Sequence, residues 1–241
     1  TECTYRHRGI AVISFTKVAA QEIKNSLAEN YNIAEIGYPH FIGTIDSFIN
    51  QHIFLPFGHL VMGCSERPEI VGTEYNPWYQ YDTSLTKFYN GWVRARDPHY
   101  YFDKVSFNSS QTPFPLLPPS AYHFSWNPEK ILNKNGSYNK KIQDILDSKC
   151  YHFSRGKANQ ADANYFALQI LEQYADILIA LASKYDHVIV DEAQDTTDIQ
   201  MSIIDALAKA GLGNLMLVGD PEQAIFEWNT AEAELFNRKY E

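Results

Sequence analysis

The run Val188-Ile189-Val190-Asp191-Glu192-Ala193-Gln194-Asp195 constrains this chain more than any other stretch. His187 to Val190 is strand-compatible and rich in β-branched side chains, which predicts a short buried strand. Two acids stand where that strand ends. In an open α/β sheet, ligands gather outside the carboxyl ends of the strands. A carboxylate there can hold Mg²⁺ on a nucleotide, and its neighbour can orient an attacking water. The same letters also describe a strand followed by a solvated acidic turn, so the rest of the chain has to decide between the two.

A second strand-and-acid unit follows. Leu215-Met216-Leu217-Val218 reads as a strand, Gly219 permits a tight exit, Asp220 stands at its end and Pro221 stops the ladder. Gln223 is an uncharged amide just past that end, suited to sensing a terminal phosphate. Between the units, Thr197 and Gln200 have capping-box spacing. Ile199, Ile203, Ile204 and Leu207 recur at helical steps, and Gly211 is a natural stop. Strand, helix, strand in that order predicts a parallel βαβ unit.

The N-terminal quarter repeats the pattern. Ile10 to Phe15 is a strand candidate, and Thr16 caps a helix whose apolar side is Val18, Ala19, Ile23 and Leu27. His40 to Thr44 is a second strand candidate, with a helix expected from Ser47 onward. The middle of the chain differs. Tyr75, Trp78, Tyr79, Tyr81, Phe88, Tyr89, Trp92, Tyr100, Tyr101 and Phe102 crowd one stretch, and four prolines in 112–119 predict an irregular loop. Such an aromatic cluster can stack on bases, but it more often forms a local core. Phe166, Ala167, Ile170, Leu171, Tyr174, Leu178 and Leu181 predict one helix over about 161–183.

Composition narrows the function classes. A length of 241 residues allows one large domain or two modest ones. A net charge of −9 argues against a bulk basic nucleic-acid binder, so any nucleic-acid contact must lean on stacking and backbone groups. Cys3, Cys64 and Cys150 fit no metal spacing and read as reduced thiols. No apolar run approaches 18 residues, and Thr1 to Arg8 lacks the apolar segment of a signal peptide. No membrane association and a cytoplasmic location are expected.

Four segments in order carry a specific resemblance. Ser14-Phe15-Thr16-Lys17-Val18-Ala19-Ala20, Gly43-Thr44-Ile45-Asp46-Ser47-Phe48, Asp191-Glu192-Ala193-Gln194-Asp195 and Val218-Gly219-Asp220-Pro221-Glu222-Gln223-Ala224-Ile225-Phe226-Glu227-Trp228 resemble motifs Ia, Ib, II (Walker B) and III of the UvrD/Rep family of superfamily 1 DNA helicases. The resemblance implies an α/β, RecA-like parallel sheet of the P-loop NTPase type, flanked by helices and interrupted by a mostly helical subdomain. Residues 1–54 and 185–241 would form the two parts of the core, and 55–184 the insertion. It implies ATP and Mg²⁺ as cofactors and an ATP-dependent 3′–5′ helicase or translocase acting on single-stranded and duplex DNA. Asp191 would bind Mg²⁺. Glu192 would be general base or water-positioner, Gln223 would meet the γ-phosphate, Gln194 and Asp195 would relay nucleotide state, and Asp220 would support the loop. Phe15, Thr16, Thr44, Ser47 and Phe48 would lie on the DNA path, with Trp228 stacking on a base and Phe226 packing inward. A second RecA-like domain of the same polypeptide would be a partner, and a nuclease or repair partner stays open.

Three departures qualify this. The basic residue of motif Ia is Lys17, one place early. Asp46 replaces a His, and an acid there repels DNA unless it turns away or bonds a neighbouring backbone group. Asn229-Thr230-Ala231 lacks the usual Arg after motif III. The sequence also has no Gly-x4-Gly-Lys-Ser/Thr loop to cradle phosphates, and Gly156-Lys157 does not fit that pattern. The chain is therefore expected to be an internal fragment with negligible ATP turnover by itself. Two alternatives remain at this point: a non-catalytic helicase-like module that binds DNA or a nuclease, and a metal-dependent phosphoesterase built on Asp191, Glu192 and Asp220.

Overall fold

The computed structural model describes residues 8–33, 36–71, 98–122 and 131–220. In chain order these form β1 Gly9–Ser14, α1 Lys17–Tyr31, β2 Phe41–Thr44 and α2 Ile45–Ile49, which continues as a π-helical turn over Asn50–Phe54. Then come α3 Leu55–Phe57, α4 His59–Met62, β3 Glu69–Ile70, β4 Val105–Phe107, β5 Pro113–Pro115, α5 Lys140–Phe153, β6 Lys157–Ala158 and α6 Gln160–Gln173. The last elements are α7 Ala175–Lys184, β7 Tyr185–Val190, α8 Asp198–Lys209 and β8 Asn214–Leu217. The chain divides into two compact units, Thr1–Phe54 with Ala167–Glu241, and Leu55–Phe166.

The first unit is an α/β core. Its four described strands lie in the order β2-β1-β7-β8, and every pairing is parallel. The registers Ser14↔Thr44, Ile13↔Val190 and Val190↔Leu217 bring all four carboxyl ends to one edge. The apolar residues of the two central strands explain why they sit inside: Ala11, Ile13, Val188 and Val190 are all at most 2% exposed. From β1 the chain moves outward one way to β2, and from β7 it moves outward the other way to β8. The order therefore reverses between β1 and β7, which is where open α/β sheets hold ligands.

Helix starts follow local capping chemistry. Thr16 accepts from Ala19 N, Thr44 from Ser47 N and Thr197 from Gln200 N, each satisfying an orphan donor of a first turn. α2 thus begins at Ile45, two residues before the expected Ser47, because Thr44 rather than a later residue makes the cap. α1 corrects a second expectation. Ala19, Ile23 and Leu27 are half-buried at steps of four, but Val18 is 68% exposed because it lies about 100° around the helix from Ala19. After α8, Gly211 takes φ 99° and ends the helix as its sequence position suggested.

The single helix expected over 161–183 is two. α6 ends at Gln173, α7 starts at Ala175, and the pair bends by 104° at Tyr174. No single described helix is long and apolar enough to cross a membrane.

The second unit has its own core of Tyr101, Val105, Tyr122, Ile131, Ile142, Ile145 and Leu146. Of the aromatic run, Tyr101 and Phe102 are fully buried. Tyr75 to Trp92 lie outside the described residues. The proline loop is more regular than expected, since β5 pairs antiparallel with β4 through Val105↔Pro115, Ser106↔Phe114 and Phe107↔Pro113. A two-stranded ribbon tolerates proline because each strand is an edge. Beside it, the fully buried Lys149 ammonium donates to Phe102 O at 2.6 Å, Val105 O at 2.6 Å and Asp162 Oδ2 at 2.8 Å. Asp162 also accepts from Ser106 Oγ at 2.9 Å. Burial pushes the Lys149 ammonium down and the Asp162 carboxyl up. Three donors matched by three acceptors hold the pair ionised.

Candidate functional site

The loop after β7 is built by its own side chains. Asp191 N donates to Ile13 O at 2.8 Å, so the ladder between the central strands runs right up to the acids. The chain then turns sharply. Glu192 sits at φ 53°, ψ 42°, the left-handed region that non-glycine residues enter at a cost of about 1–2 kcal/mol. A 3₁₀ turn over Ala193–Asp195 follows, with Asp195 N donating to Glu192 O at 3.0 Å and Thr196 Oγ to Ala193 O at 2.7 Å. Strain of this kind persists where surrounding contacts over-determine it, and here they do. Asp191 ends half-buried and Glu192 exposed.

Gln194 is the bracket of the loop. It is 2% exposed. Its Nε2 donates to Glu192 Oε2 at 2.6 Å, and its Oε1 accepts from Asp220 N at 3.1 Å. Ala193 N donates to Val218 O at 2.9 Å. One buried amide therefore joins the exposed acid after β7 to the backbone after β8. Gly219 makes room for it: a Cβ there would lie 2.2 Å from Gln194 Oε1 and 3.1 Å from Ala193 N. This close approach, which the sequence did not suggest, requires a glycine.

Across the switch point stand the corners after β1 and β2. Phe15 is half-buried and Thr16 exposed, with Thr16 N donating to Ser14 Oγ at 3.3 Å. Thr44 is half-buried and Ser47 exposed, and Ser47 Oγ donates to Thr44 O at 2.7 Å. The structure thus brings Asp191, Glu192, Gln194, Asp195, Asp220, Phe15, Thr16, Thr44 and Ser47 to the carboxyl edge of one sheet. It does not bring Phe48 to a surface. That ring is 2% exposed and packs edge-on against Phe41 at 5.4 Å and His52 at 5.0 Å, so an expected DNA contact is a core residue instead. Gln223, Phe226 and Trp228 lie outside the described residues.

Two contacts could not be read from the sequence. Asp46 Oδ1 accepts from Gln200 Nε2 at 2.8 Å, which answers where the acid in the second motif turns. The capping-box spacing had pointed to Gln200, but not to the far end of its amide. In the π-helical turn, His52 is clamped between Lys184 Nζ at 3.3 Å and Tyr185 Oη at 3.0 Å. Burial and the Lys184 ammonium push its pKa down to about 4. A neutral ring accepting from the ammonium through Nδ1 and donating through Nε2–H accounts for both contacts.

The four described parallel strands flanked by helices give the architecture of a RecA-like core. Residues 106–241 match the model of the UvrD/REP helicase N-terminal domain, and the chain belongs to that family. Over 244 aligned residues, 96% of this chain, it is 26% identical to a protein named probable DNA helicase II homolog from Mycoplasma capricolum, of which it covers 30%. It is 36% identical over 89 residues to an ATP-dependent helicase/nuclease subunit from Natranaerobius thermophilus, and 38% identical over 96 residues to its counterpart from Lysinibacillus sphaericus. Each of those matches takes 36% of this chain, and the chain spans only 7% and 8% of those two relatives.

Proposed function

We propose that the protein carrying this chain is an ATP-dependent DNA helicase that hydrolyses ATP to move 3′ to 5′ along single-stranded DNA and open duplex. The observation that carries this reading is the acid pair at the switch point, with Glu192 exposed and held at 2.6 Å by the buried amide of Gln194. An exposed carboxylate fixed in position is what a water-orienting base needs, because phosphoryl transfer is catalysed chiefly by positioning and charge stabilisation.

The donor set at the strand end fits Mg²⁺, which takes one or two carboxylates and leaves its other positions to water and phosphate oxygens. Asp191 would hold it, and the bound cation would neutralise phosphate charge. Glu192 orients the attacking water and accepts its proton. Gln194 and Asp195 fix the loop, Asp220 closes it from the β8 side, and Gln223 contacts the terminal phosphate. Phe15, Thr16, Thr44 and Ser47 line the DNA path through hydroxyls and backbone groups that bind without reading sequence. Trp228 stacks on a base, worth about 1–3 kcal/mol without sequence preference. A second RecA-like domain of the same polypeptide supplies the remaining phosphate contacts. The relatives named as helicase/nuclease components favour a nuclease domain or partner as the neighbour of this motor.

The test is single-stranded-DNA-stimulated ATP hydrolysis by the full-length polypeptide, with strand displacement on 3′- and 5′-tailed duplexes. Glu192→Gln is expected to lower turnover by roughly 10²–10⁴-fold while DNA is still bound. Turnover that survives Glu192→Gln overturns the assignment of the base, and displacement confined to 5′-tailed duplex overturns the polarity. The 241-residue chain alone is expected to hydrolyse ATP negligibly.

A further inference from the structure

Gln200 occupies the third position of α8 and is 4% exposed. Its two amide atoms face different elements. Oε1 accepts from Thr197 N at 2.9 Å, completing the capping box in which Gln200 N donates to Thr197 Oγ at 3.3 Å. A backbone N–H can only donate, so the cap fixes which end of the amide is oxygen. Nε2 must then point away from α8, and it donates to Asp46 Oδ1 at 2.8 Å across 154 residues of sequence. Asp46 is the second residue of α2, between Thr44 and Ser47.

Two sets of hydrogen bonds, joined by the chain at Thr196–Thr197, run from Glu192 to Gln200. Asp195 N bonds Glu192 O, Thr196 Oγ bonds Ala193 O, and Thr197 is locked to Gln200 in both directions. A displacement of the acid loop therefore reaches Gln200, and Gln200 passes it to the first turn of α2 through one charge-assisted hydrogen bond.

We infer that Gln200 and Asp46 are positioning residues that couple the acid loop to the Thr44–Ser47 corner, so that nucleic acid bound at the corner sets the rate of hydrolysis at the loop. This rests on the function proposed above. It makes Asp46 a mechanical tie rather than a misplaced charge on the DNA path.

The chemistry of the pair supplies a clean test in the full-length protein. Gln200→Glu keeps an oxygen for Thr197 N, so the cap survives, but it faces the Asp46 carboxylate with a second carboxylate. Asp46→Asn keeps an acceptor for Gln200. Combined, the two substitutions restore a donor–acceptor pair with the roles reversed. Asp46→Ala removes the tie from the other side and leaves the α8 cap untouched.

Stimulation of ATP hydrolysis by single-stranded DNA is expected to fall about fivefold or more in Gln200→Glu and Asp46→Ala, with unstimulated turnover and the KM for ATP unchanged. Asp46→Asn keeps the wild-type ratio, and the double variant recovers it. Wild-type stimulation in Asp46→Ala overturns the inference. So does a double variant no better than Gln200→Glu, or a loss shared equally by stimulated and unstimulated turnover. Glu192→Gln is run beside them. If the wild-type protein has no ATP turnover that this substitution removes, the proposed function itself fails; if it has, a flat series at positions 46 and 200 removes only the tie.

Discussion

Asp162 in the second unit and Glu192 in the first are both carboxylates gripped by side chains of other residues, but they are gripped for different ends. Asp162 is fully buried, and its oxygens accept from Lys149, Ser106 and Asn159. Its ammonium partner has all three protons placed. Glu192 is exposed, sits in a left-handed backbone well and takes one 2.6 Å contact from Gln194. The first cluster satisfies its charges and makes structure. The second fixes a charge in place while leaving it open to solvent, which is the arrangement a reacting group needs. Saturation with partners separates a structural ion pair from a candidate catalytic one better than charge or residue type does.

Substitutions can break that contrast from either side. The largest effect on stability is expected from Lys149→Met, which strands a buried carboxylate and should lower unfolding free energy by about 3–5 kcal/mol. Chemical denaturation measures it, and adding Asp162→Leu should recover part of the loss. Gly219→Ala comes next. The new methyl displaces the Gln194 amide, and a cost of about 1–3 kcal/mol with a matching fall in ATP turnover is expected, because one group serves both fold and loop. A variant that loses stability but keeps full turnover would show that Glu192 does not need its bracket. Thr197→Ala removes the α8 cap and should cost about 1 kcal/mol in the melting transition.

The smallest effect sharpens the comparison at a third, intermediate group. His52 is half-buried and titrates at about 4 in the folded chain against 6.5 when unfolded. Between those values the unfolded chain holds a proton that the folded one refuses. Stability therefore declines as pH falls from 6.5 toward 4 and levels off below that range. Allowing for water at the half-buried ring, the decline is about 1 kcal/mol. His52→Gln should flatten this part of the pH profile of denaturation midpoints.

Much of the core could be read from the letters. The strands at β1, β2, β7 and β8, the caps at Thr16 and Thr197 and the stop at Gly211 rest on local rules of period and capping, and the structure places them within a residue or two. Local rules ran out where tertiary packing decides. Phe48 has the same side chain whether it faces a ligand or a core, and only the approach of Phe41, His52 and Tyr185 settles that. The break at Tyr174 interrupts an apolar pattern that stays helical on both sides, so periodicity cannot see it. The Gln200 to Asp46 contact joins residues 154 apart, a distance at which a single sequence carries no signal. Asp191, Glu192 and Gln194 were legible as candidates, whereas the way the Gln194 amide ties Glu192 to the backbone after β8 became visible only once β7 and β8 lay side by side.

β8 closes the described sheet on one side, with its Met216 58% exposed and Val218, just past it, 44% exposed. Exposed apolar side chains next to one another favour self-association. The 241-residue chain is thus expected to self-associate at high concentration. Light scattering would report it, and a lysine in place of Met216 should suppress it without touching the acid loop.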